Sequence, residues 1–186
     1  MDSKEAIRAM IKDKFFYLNE TDKLSMDKKI RKNIYKLKEY QKANTIFSYV
    51  SKDKEVDTLK LISHSFEINK IVGVPLIKEN HELITKKIQN LGQLNIGKFN
   101  ILEPSENLKT IDPNDFEVLF VPGLAFGTGF ERLGRGGGYF DRFLTKSSGI
   151  KIGLAYEFQV FSSLPILDYD IKMDMIITNE RIICRA

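Results

Sequence analysis

Two short apolar runs on either side of a helical pattern constrain the fold of this 186-residue chain more than any other feature. Residues 45–50 (TIFSYV) and 70–74 (KIVGV) have the β-branched and aromatic content of buried strands. Residues 55–68, between them, place apolar side chains at helical spacing. A strand, a helix and a strand in this order form a βαβ unit, whose strands are parallel and whose crossover is right-handed. The pattern therefore predicts an α/β fold with a mostly parallel, Rossmann-like sheet.

The rest of the chain is predicted to complete a single domain over residues 1–186, with three layers in an α/β/α arrangement. Two helices precede the first strand: one runs from a cap at Ser3 or Asp2 to about Leu18, and the other from a cap at Ser25 to about Lys42. No internal repeat divides the chain, and its length suits one domain. Further extended segments are predicted at residues 81–88, 116–121, 151–156, 174–178 and 181–184, and residues 97–104 are predicted to form a short strand or a turn.

Composition narrows the class of protein. No apolar run approaches the roughly 20 residues that span a bilayer, and the charged start of the chain differs from a signal peptide, so we expect a cytoplasmic protein with no membrane partner. The single cysteine, Cys184, cannot form an internal disulfide or a cysteine-cluster zinc site. The two histidines, His64 and His81, are far apart and lack partners at ligand spacing. Histidine-based catalysis and two-histidine metal sites are therefore disfavoured.

The candidate binding segment is residues 132–143 (RLGRGGGYFDRF), with glycine at four of five successive positions. Glycine lacks a Cβ, so such a loop can turn several backbone amides towards an anion. The apolar run at 118–121 and a helical pattern from Tyr139 to Lys146 would place the loop between a strand end and a helix N-terminus, a setting that suits phosphate. The loop lacks the Gly-Lys-Ser/Thr ending of a P-loop and the spacing of the dinucleotide motif.

Arginines distinguish this segment from a flexible glycine linker. Arg132, Arg135 and Arg142 supply fixed positive charge with the forked geometry that binds phosphate oxygens. Asp141 is unexpected beside phosphate unless a divalent cation bridges the two, so it is a candidate magnesium contact. Asp174 would complete such a site if the two strand ends are neighbours; otherwise both are ordinary loop acids.

Glu55 is a further candidate because it follows a strand end directly, on the edge where open α/β sheets bind ligands. Compensation of the helix dipole explains it equally well. The first 60 residues hold 15 Lys and Arg against 10 Asp and Glu, so nucleic acid or another anion is one interpretation of this end of the chain. Acids are mixed among these lysines, however, which favours an ordinary solvated helix face.

Seven stretches occur along the chain in a characteristic order, and the glycine loop is the most specific of them. The stretches are Lys4-x-x-x-Arg8, residues 55–58 (EVDT), 99–104 (FNILEP), 121–126 (VPGLAF), the loop at 132–143, residues 158–159 (FQ) with 164–165 (LP), and residues 170–178. Together they resemble the 5-formyltetrahydrofolate cyclo-ligase family, also called methenyltetrahydrofolate synthetase.

The resemblance implies a ligase of one-carbon metabolism that converts 5-formyltetrahydrofolate to 5,10-methenyltetrahydrofolate with release of ADP and phosphate, and that requires ATP and Mg2+. The formyl oxygen would attack the γ-phosphate of ATP, the folate nitrogen at position 10 would close the ring, and phosphate would leave. Phosphoryl transfer needs mainly positioning and charge neutralisation, so the scarcity of histidine is no objection. The implied partner is a small-molecule substrate, polyglutamylated forms included, bound by a monomer without nucleic acid.

The resemblance also implies roles for individual residues. Glu55 and the strand end at Val50 would contact the folate, and Asp141 and Asp174 would hold magnesium. ATP would be held by Lys4, Arg8, Arg132, Leu133, Gly134, Arg135, Gly136, Gly137, Gly138, Tyr139 and Phe140, of which Arg132, Arg135 and Tyr139 would be catalytic.

Two departures from the family pattern are visible. The family usually has Phe-Asp and then glycine ahead of the arginine, whereas Gly127 and Phe130 occupy those places here. A paired Tyr-Tyr is replaced by Tyr139-Phe140, which removes one hydroxyl and a hydrogen bond worth about 0.5–1.5 kcal/mol. We expect altered substrate affinity and an unaltered reaction.

Two other functions compete with this interpretation. A nucleic-acid-binding protein would use the basic helices and the Arg-Gly loop on a phosphate backbone, but this leaves Asp141, Glu55 and Asp174 unexplained. Few aromatic residues interleave with the lysines, which also disfavours stacking on single strands. An enzyme that handles sugar phosphates or CoA is suggested by analogy of fold alone.

Overall fold

The computed structural model of the chain describes residues 3–79, 82–97, 100–165, 167 and 170–185. It begins with helices α1 (Lys4–Tyr17), α2 (Glu20–Lys36) and α3 (Lys38–Lys42). Ser3 caps α1 as predicted, because its side chain accepts the Ala6 amide at 3.1 Å. The second predicted helix was wrong at its start and in its continuity. Asn19, rather than Ser25, caps α2 by accepting the Asp22 amide at 2.8 Å, and extended backbone at Leu37 separates α2 from α3.

A seven-stranded sheet forms the centre of the molecule, in the order β12-β11-β9-β6-β1-β2-β3. The five inner strands from β11 to β2 are parallel, and β12 and β3 are antiparallel edge strands. In chain order the elements are β1 (Thr45–Ser48), α4 (Leu59–Glu67), β2 (Ile71–Ile77), β3 (Leu83–Ile88), β4 (Leu94–Ile96), β5 (Leu102–Pro104), β6 (Val118–Val121), β7 (Ala125–Gly127), β8 (Arg132–Leu133), α5 (Tyr139–Leu144), β9 (Ile150–Leu154), β10 (Val160–Phe161), β11 (Met175–Ile177) and β12 (Ile182–Cys184).

The predicted mostly parallel α/β fold and the βαβ unit formed by β1, α4 and β2 are confirmed. Strand β2 is longer than predicted, because it continues through Pro75, which faces Thr85 of β3. The start of the predicted strand at His81, and the Lys98-Phe99 part of the predicted segment 97–104, lie outside the described residues.

Helix α4 begins at Leu59, not at Glu55 as predicted. Residues 51–58, which we call the Glu55 loop, are held out of the helix by bonds between their two ends. The hydroxyl of Thr58 accepts the Ser51 amide at 2.9 Å, and the hydroxyl of Ser51 accepts the Thr58 amide at 3.1 Å. Glu55 therefore lies in a braced loop and does not compensate the dipole at the start of α4.

Alternate residues of the central strands enter different hydrophobic clusters, which gives the fold its layers. Ile46 of β1 belongs to the cluster that contains the buried side chains of α2, α3 and α4, whereas its neighbour Phe47 joins the cluster that contains α5. A third cluster packs Ile7 and Ile11 of α1 against β7 and β8. In the part of the chain that the structure describes, no helix combines the length and apolar character needed to cross a membrane.

The connections that follow β1, β6 and β9 leave from the same edge of the sheet, because these strands are parallel. The Glu55 loop follows β1, the segment that leads to the glycine loop follows β6, and residues 155–159 follow β9. Ligands of open α/β sheets bind outside the carboxyl ends of the strands. This edge is therefore where the fold positions the candidate site.

Candidate active site

The glycine loop, residues 134–138, joins β8 to α5. The loop was predicted to follow the strand at 118–121, which is β6. In the structure the hairpin of β7 and β8 lies between β6 and the loop, and this hairpin forms a separate small sheet with β10. Two positions require glycine for conformational reasons: Gly136 has φ of 101° and Gly138, which precedes the first turn of α5, has φ of 66°. A residue with a Cβ would be strained at either position.

Arg132 lies at the base of the glycine loop with only 3% of its side chain exposed. Its Nη2 donates to Asp141 Oδ1 at 2.6 Å, and its Nη1 donates to the Pro122 carbonyl at 3.4 Å. The guanidinium also lies 5.9 Å from the ring centroid of Phe140. Its buried Nε finds no hydrogen-bond partner among the described residues. A buried guanidinium whose Nε–H has no acceptor among the described residues suits an anionic ligand at the loop.

Arg8 of α1 reaches the glycine loop from the other side. Its Nε donates to the Gly134 carbonyl at 3.3 Å, and its Nη1 meets Glu5 at 3.3 Å. A Cβ placed on Gly136 would lie 3.7 Å from Arg8 Nη2, so the guanidinium borders the loop closely. The structure thus brings the second residue of the Lys4-x-x-x-Arg8 motif to the predicted phosphate loop.

Lys4 contacts an acid instead of the loop. Its Nζ lies 2.7 Å from Asp170 Oδ2, which also accepts the Leu167 amide at 2.9 Å. Burial alone would raise the pKa of Asp170, but the bonds from Lys4 and Leu167 and the charges of Lys4 and Arg132 outweigh it and lower the pKa. Asp170 received no separate role from the sequence; in the structure it holds the start of α1 near Arg132.

We expect Asp170→Asn to lower the free energy of unfolding by about 1 kcal/mol at neutral pH, since the ion pair with Lys4 is lost. The folded-state pKa of Asp170 lies below its ordinary value of 3.8, so the stabilisation is complete above that pH and disappears as the pH falls through the folded-state pKa. Urea unfolding at several pH values measures the difference. Asp13→Asn, at an exposed position of α1, the helix that carries Lys4, is the control; a difference that persists at low pH would contradict the ion-pair explanation.

Glu55 and Arg135 form an ion pair across the site. Arg135 Nη2 lies 2.9 Å from Glu55 Oε1, and the other carboxylate oxygen accepts the Lys52 amide at 3.0 Å. The Glu55 side chain is 20% exposed and that of Arg135 is 69% exposed. Two residues predicted to serve different ligands are therefore in direct contact. Val50, the other predicted folate contact, is buried in the core, so a ligand there would meet its backbone.

Asp141 and Asp174 have separate partners. Asp141 is paired with Arg132, whereas Asp174 stands just before β11, where its Oδ2 accepts the Lys151 amide at 2.9 Å and its Oδ1 lies 3.9 Å from Arg185. Within residues 3–185 as described, no three His, Cys, Asp or Glu side chains come together as a metal site. A cation held jointly by Asp141 and Asp174 stays a prediction.

The aromatic pair after the glycines divides between surface and core. The Phe140 ring packs 6.2 Å from Phe47 in edge-to-face geometry, so it faces the core. The Tyr139 ring lies 5.9 Å from the guanidinium of Arg142, whose Nη2 also donates to the Gly137 carbonyl at 2.8 Å. Beside α5, the helix that begins at Tyr139, lies a cavity of about 570 Å3. It is lined by Glu82, Leu83, Gly138, Asp141, Arg142, Phe143, Thr145 and Lys146.

The two unusual residues ahead of Arg132 have local explanations. A Cβ on Gly127 would lie 2.1 Å from Glu131 Oε2, so the carboxylate of Glu131 occupies the space that a side chain at 127 would need. Phe130 adopts φ of 71°, a strained conformation for an aromatic residue. Its ring lies 5.3 Å from the Arg185 guanidinium, and its carbonyl accepts the Met173 amide at 2.9 Å.

Three comparisons with known proteins agree on one family. The sequence model of the 5-formyltetrahydrofolate cyclo-ligase family matches residues 1–179. A 5-formyltetrahydrofolate cyclo-ligase of Haemophilus influenzae is 30% identical over 176 residues, which cover 91% of this chain and 94% of that protein. Among solved structures, a 5,10-methenyltetrahydrofolate synthetase of Aquifex aeolicus superposes with a TM-score of 0.87 at 32% identity and covers 96% of this chain and 91% of its own. The synthetase of Mycoplasma pneumoniae gives 0.78 at 26% identity, over 96% of this chain and 99% of its own.

Proposed function

The chain belongs to the 5-formyltetrahydrofolate cyclo-ligase family, and we propose that it converts 5-formyltetrahydrofolate to 5,10-methenyltetrahydrofolate with ATP as co-substrate. The observation that carries the proposal is the ion pair of Arg135 with Glu55, at 2.9 Å. It joins the glycine loop, which suits the phosphates of ATP, to the loop that suits the folate. The two substrates would therefore meet at this pair.

The reaction needs activation because an amide oxygen is a poor leaving group. The formyl oxygen attacks the γ-phosphorus of ATP, the bond to the β-phosphate oxygen breaks, and ADP leaves. The folate nitrogen at position 10 then attacks the activated formyl carbon and loses its proton, and the C–O bond breaks as phosphate departs. Neither step uses a nucleophile from the protein, so binding, orientation and charge neutralisation are the tasks of its side chains.

The donors around the glycine loop fit a polyphosphate. Arg132 offers its buried Nε, which has no partner among the residues that the structure describes, Arg8 borders the loop at Gly134, and Arg135 projects from the loop itself. We assign ATP binding to these arginines, to residues 133–140 and to Lys4, which would exchange Asp170 for a phosphate. Arg132 and Arg135 would neutralise the charge that develops during transfer, and Tyr139 would border the reacting phosphate.

Magnesium would supply further neutralisation of the phosphates when bound. Asp141 is the carboxylate that we assign to it, because it lies at the start of α5 and lines the cavity beside the glycine loop. Its pairing with Arg132 holds it in place in the absence of the ion. Asp174 is a second candidate; its present partners, Lys151 and Arg185, lie outside the loop, so we do not assign both carboxylates to one ion.

The folate would lie against the Glu55 loop, with the Glu55 carboxylate and the backbone at Val50 as its contacts. Glu55 is held by the Lys52 amide and by Arg135, so one of its oxygens would become available as Arg135 turned to phosphate. We expect a monomer that also accepts polyglutamylated forms of the substrate.

The test follows the absorbance of the methenyl product near neutral pH after purified protein is mixed with 5-formyltetrahydrofolate, magnesium and ATP. We expect product only in the complete mixture, with none when ATP or magnesium is withheld. ATP binding without product would refute the folate assignment and leave the phosphate loop in place. A parallel thermal-shift series with a sugar phosphate and with CoA would identify the competing enzyme class if either stabilised the protein where folate did not.

A further inference from the structure

A buried charge on α2 has no role in the reaction proposed above. Asp27 is 1% exposed and accepts three hydrogen bonds: from Lys23 Nζ at 2.8 Å, from the Tyr156 hydroxyl at 2.9 Å and from the Asp57 amide at 3.1 Å. Burial of an ion pair carries a desolvation penalty that apolar side chains of similar volume avoid. Stability alone therefore gives no reason for a carboxylate at this position.

Tyr156 connects Asp27 to the active-site edge of the sheet. It follows β9, is fully buried, and lies with its ring against Phe15 and Phe158. Its hydroxyl is 2.9 Å from Asp27 Oδ1 and 3.3 Å from the Glu55 carbonyl. Burial and the negative charge of Asp27 raise the pKa of Tyr156, so the hydroxyl remains a donor.

These contacts converge on two residues of the Glu55 loop, Glu55 and Asp57. Tyr156 meets the carbonyl of Glu55, and Asp27 meets the amide of Asp57. Arg31, one turn further along α2, meets the Asp57 carboxylate at 3.2 Å. The loop is thus fixed from beneath at two backbone atoms, while the Glu55 side chain points the other way, to Arg135.

From this arrangement we infer that Asp27 and Tyr156 are positioning residues that hold Glu55 for the folate substrate. Neither touches the reacting atoms. They act through the backbone of residues 55–57, and their loss lets Glu55 move relative to the glycine loop. The inference rests on the proposed function for the identity of the substrate, whereas the fixing of the loop rests on the contacts alone.

The variant that isolates this role is Tyr156→Phe, which keeps the ring and removes only the hydroxyl. Tyr40→Phe is the matched control, because Tyr40 is also buried, at 1% exposure, and its hydroxyl contacts side chains of α4, 2.9 Å from Ser65 Oγ and 3.0 Å from His64 Nδ1. We expect Tyr156→Phe to raise KM for 5-formyltetrahydrofolate about fivefold, as for one lost hydrogen bond, with kcat and KM for ATP within about twofold of wild type. The two variants should lower Tm by similar amounts, since each loses one buried hydroxyl. Tyr40→Phe should leave the KM for 5-formyltetrahydrofolate and the KM for ATP unchanged. Asp27→Asn should raise the folate KM in the same direction.

An unchanged folate KM in Tyr156→Phe, or an equal rise in Tyr40→Phe, would overturn the inference. Amide hydrogen exchange separates its failure from failure of the proposed function, since it needs no substrate. We expect the amides of residues 55–57 to exchange faster in Tyr156→Phe than in wild type or Tyr40→Phe. Faster exchange in a protein that makes no methenyl product would support the fixed loop and refute the folate function. Unchanged exchange would refute the fixed loop whatever the activity.

Discussion

Arg135→Ala is expected to lower kcat about a thousandfold, the scale on which single arginines act in phosphoryl transfer. The side chain is 69% exposed, so its removal leaves no cavity in the core and should change the free energy of unfolding little. Its charge lies between the glycine loop and Glu55, where the transferred phosphoryl group and the formyl oxygen would meet. Steady-state assays with each substrate varied in turn measure the effect.

Two further variants distinguish a specific role from loss of charge. Arg181→Ala removes an arginine of similar setting, 55% exposed and 2.7 Å from Glu157, and should retain near wild-type activity. Arg135→Lys keeps the charge without the forked geometry and should recover only part of the rate. We expect the affinity for ATP to fall more than the affinity for folate in Arg135→Ala. Equal weakening of both ligands would contradict the division of the site between the glycine loop and the Glu55 loop.

The sheet and its helices could be predicted because their signals are local. Strand β6 is buried at every position and continuously apolar, the run at 45–50 is rich in β-branched and aromatic residues, and α1 has a capping serine ahead of a periodic apolar stripe. The small sheet of β7, β8 and β10 escaped prediction because its strands are two or three residues long. Alternation cannot be recognised over so few positions.

The missed features of the site arise from contacts between distant residues. Residues 55–58 continue the apolar spacing of α4, yet the bonds between Ser51 and Thr58 hold them in a loop. Asp27 lies in a lysine-rich helix for which the sequence favours a solvated face. Its burial depends on the contact with Tyr156, which is 129 positions away in the chain. The i, i+4 spacing of Lys23 and Asp27 was the one sequence signal of this ion pair. Such pairs also occur on solvent-exposed helix faces, so the spacing does not indicate burial.

A second large effect is expected in the core beneath the glycine loop. Phe47 of β1 is fully buried, and its ring lies 4.7 Å from Phe143, 5.7 Å from Phe116 and 6.2 Å from Phe140. Phe47→Ala should lower the free energy of unfolding by about 3–5 kcal/mol, because the surrounding rings cannot close the cavity that it leaves. Two of these rings belong to α5, so the glycine loop loses its support as well.

Urea unfolding of Phe47→Ala, Phe47→Leu and Phe16→Ala would measure this effect. Phe16 is 77% exposed, so its replacement should change the free energy of unfolding by no more than about 0.5 kcal/mol. Phe47→Leu should fall between the two, since leucine fills part of the cavity. If the folded fraction of Phe47→Ala is maintained at low temperature, its KM for ATP should rise, because Phe140 and Phe143 hold the first turn of α5 against β1. A large loss of stability with an unchanged KM for ATP would show that the loop is held by Arg132 and Arg8 alone.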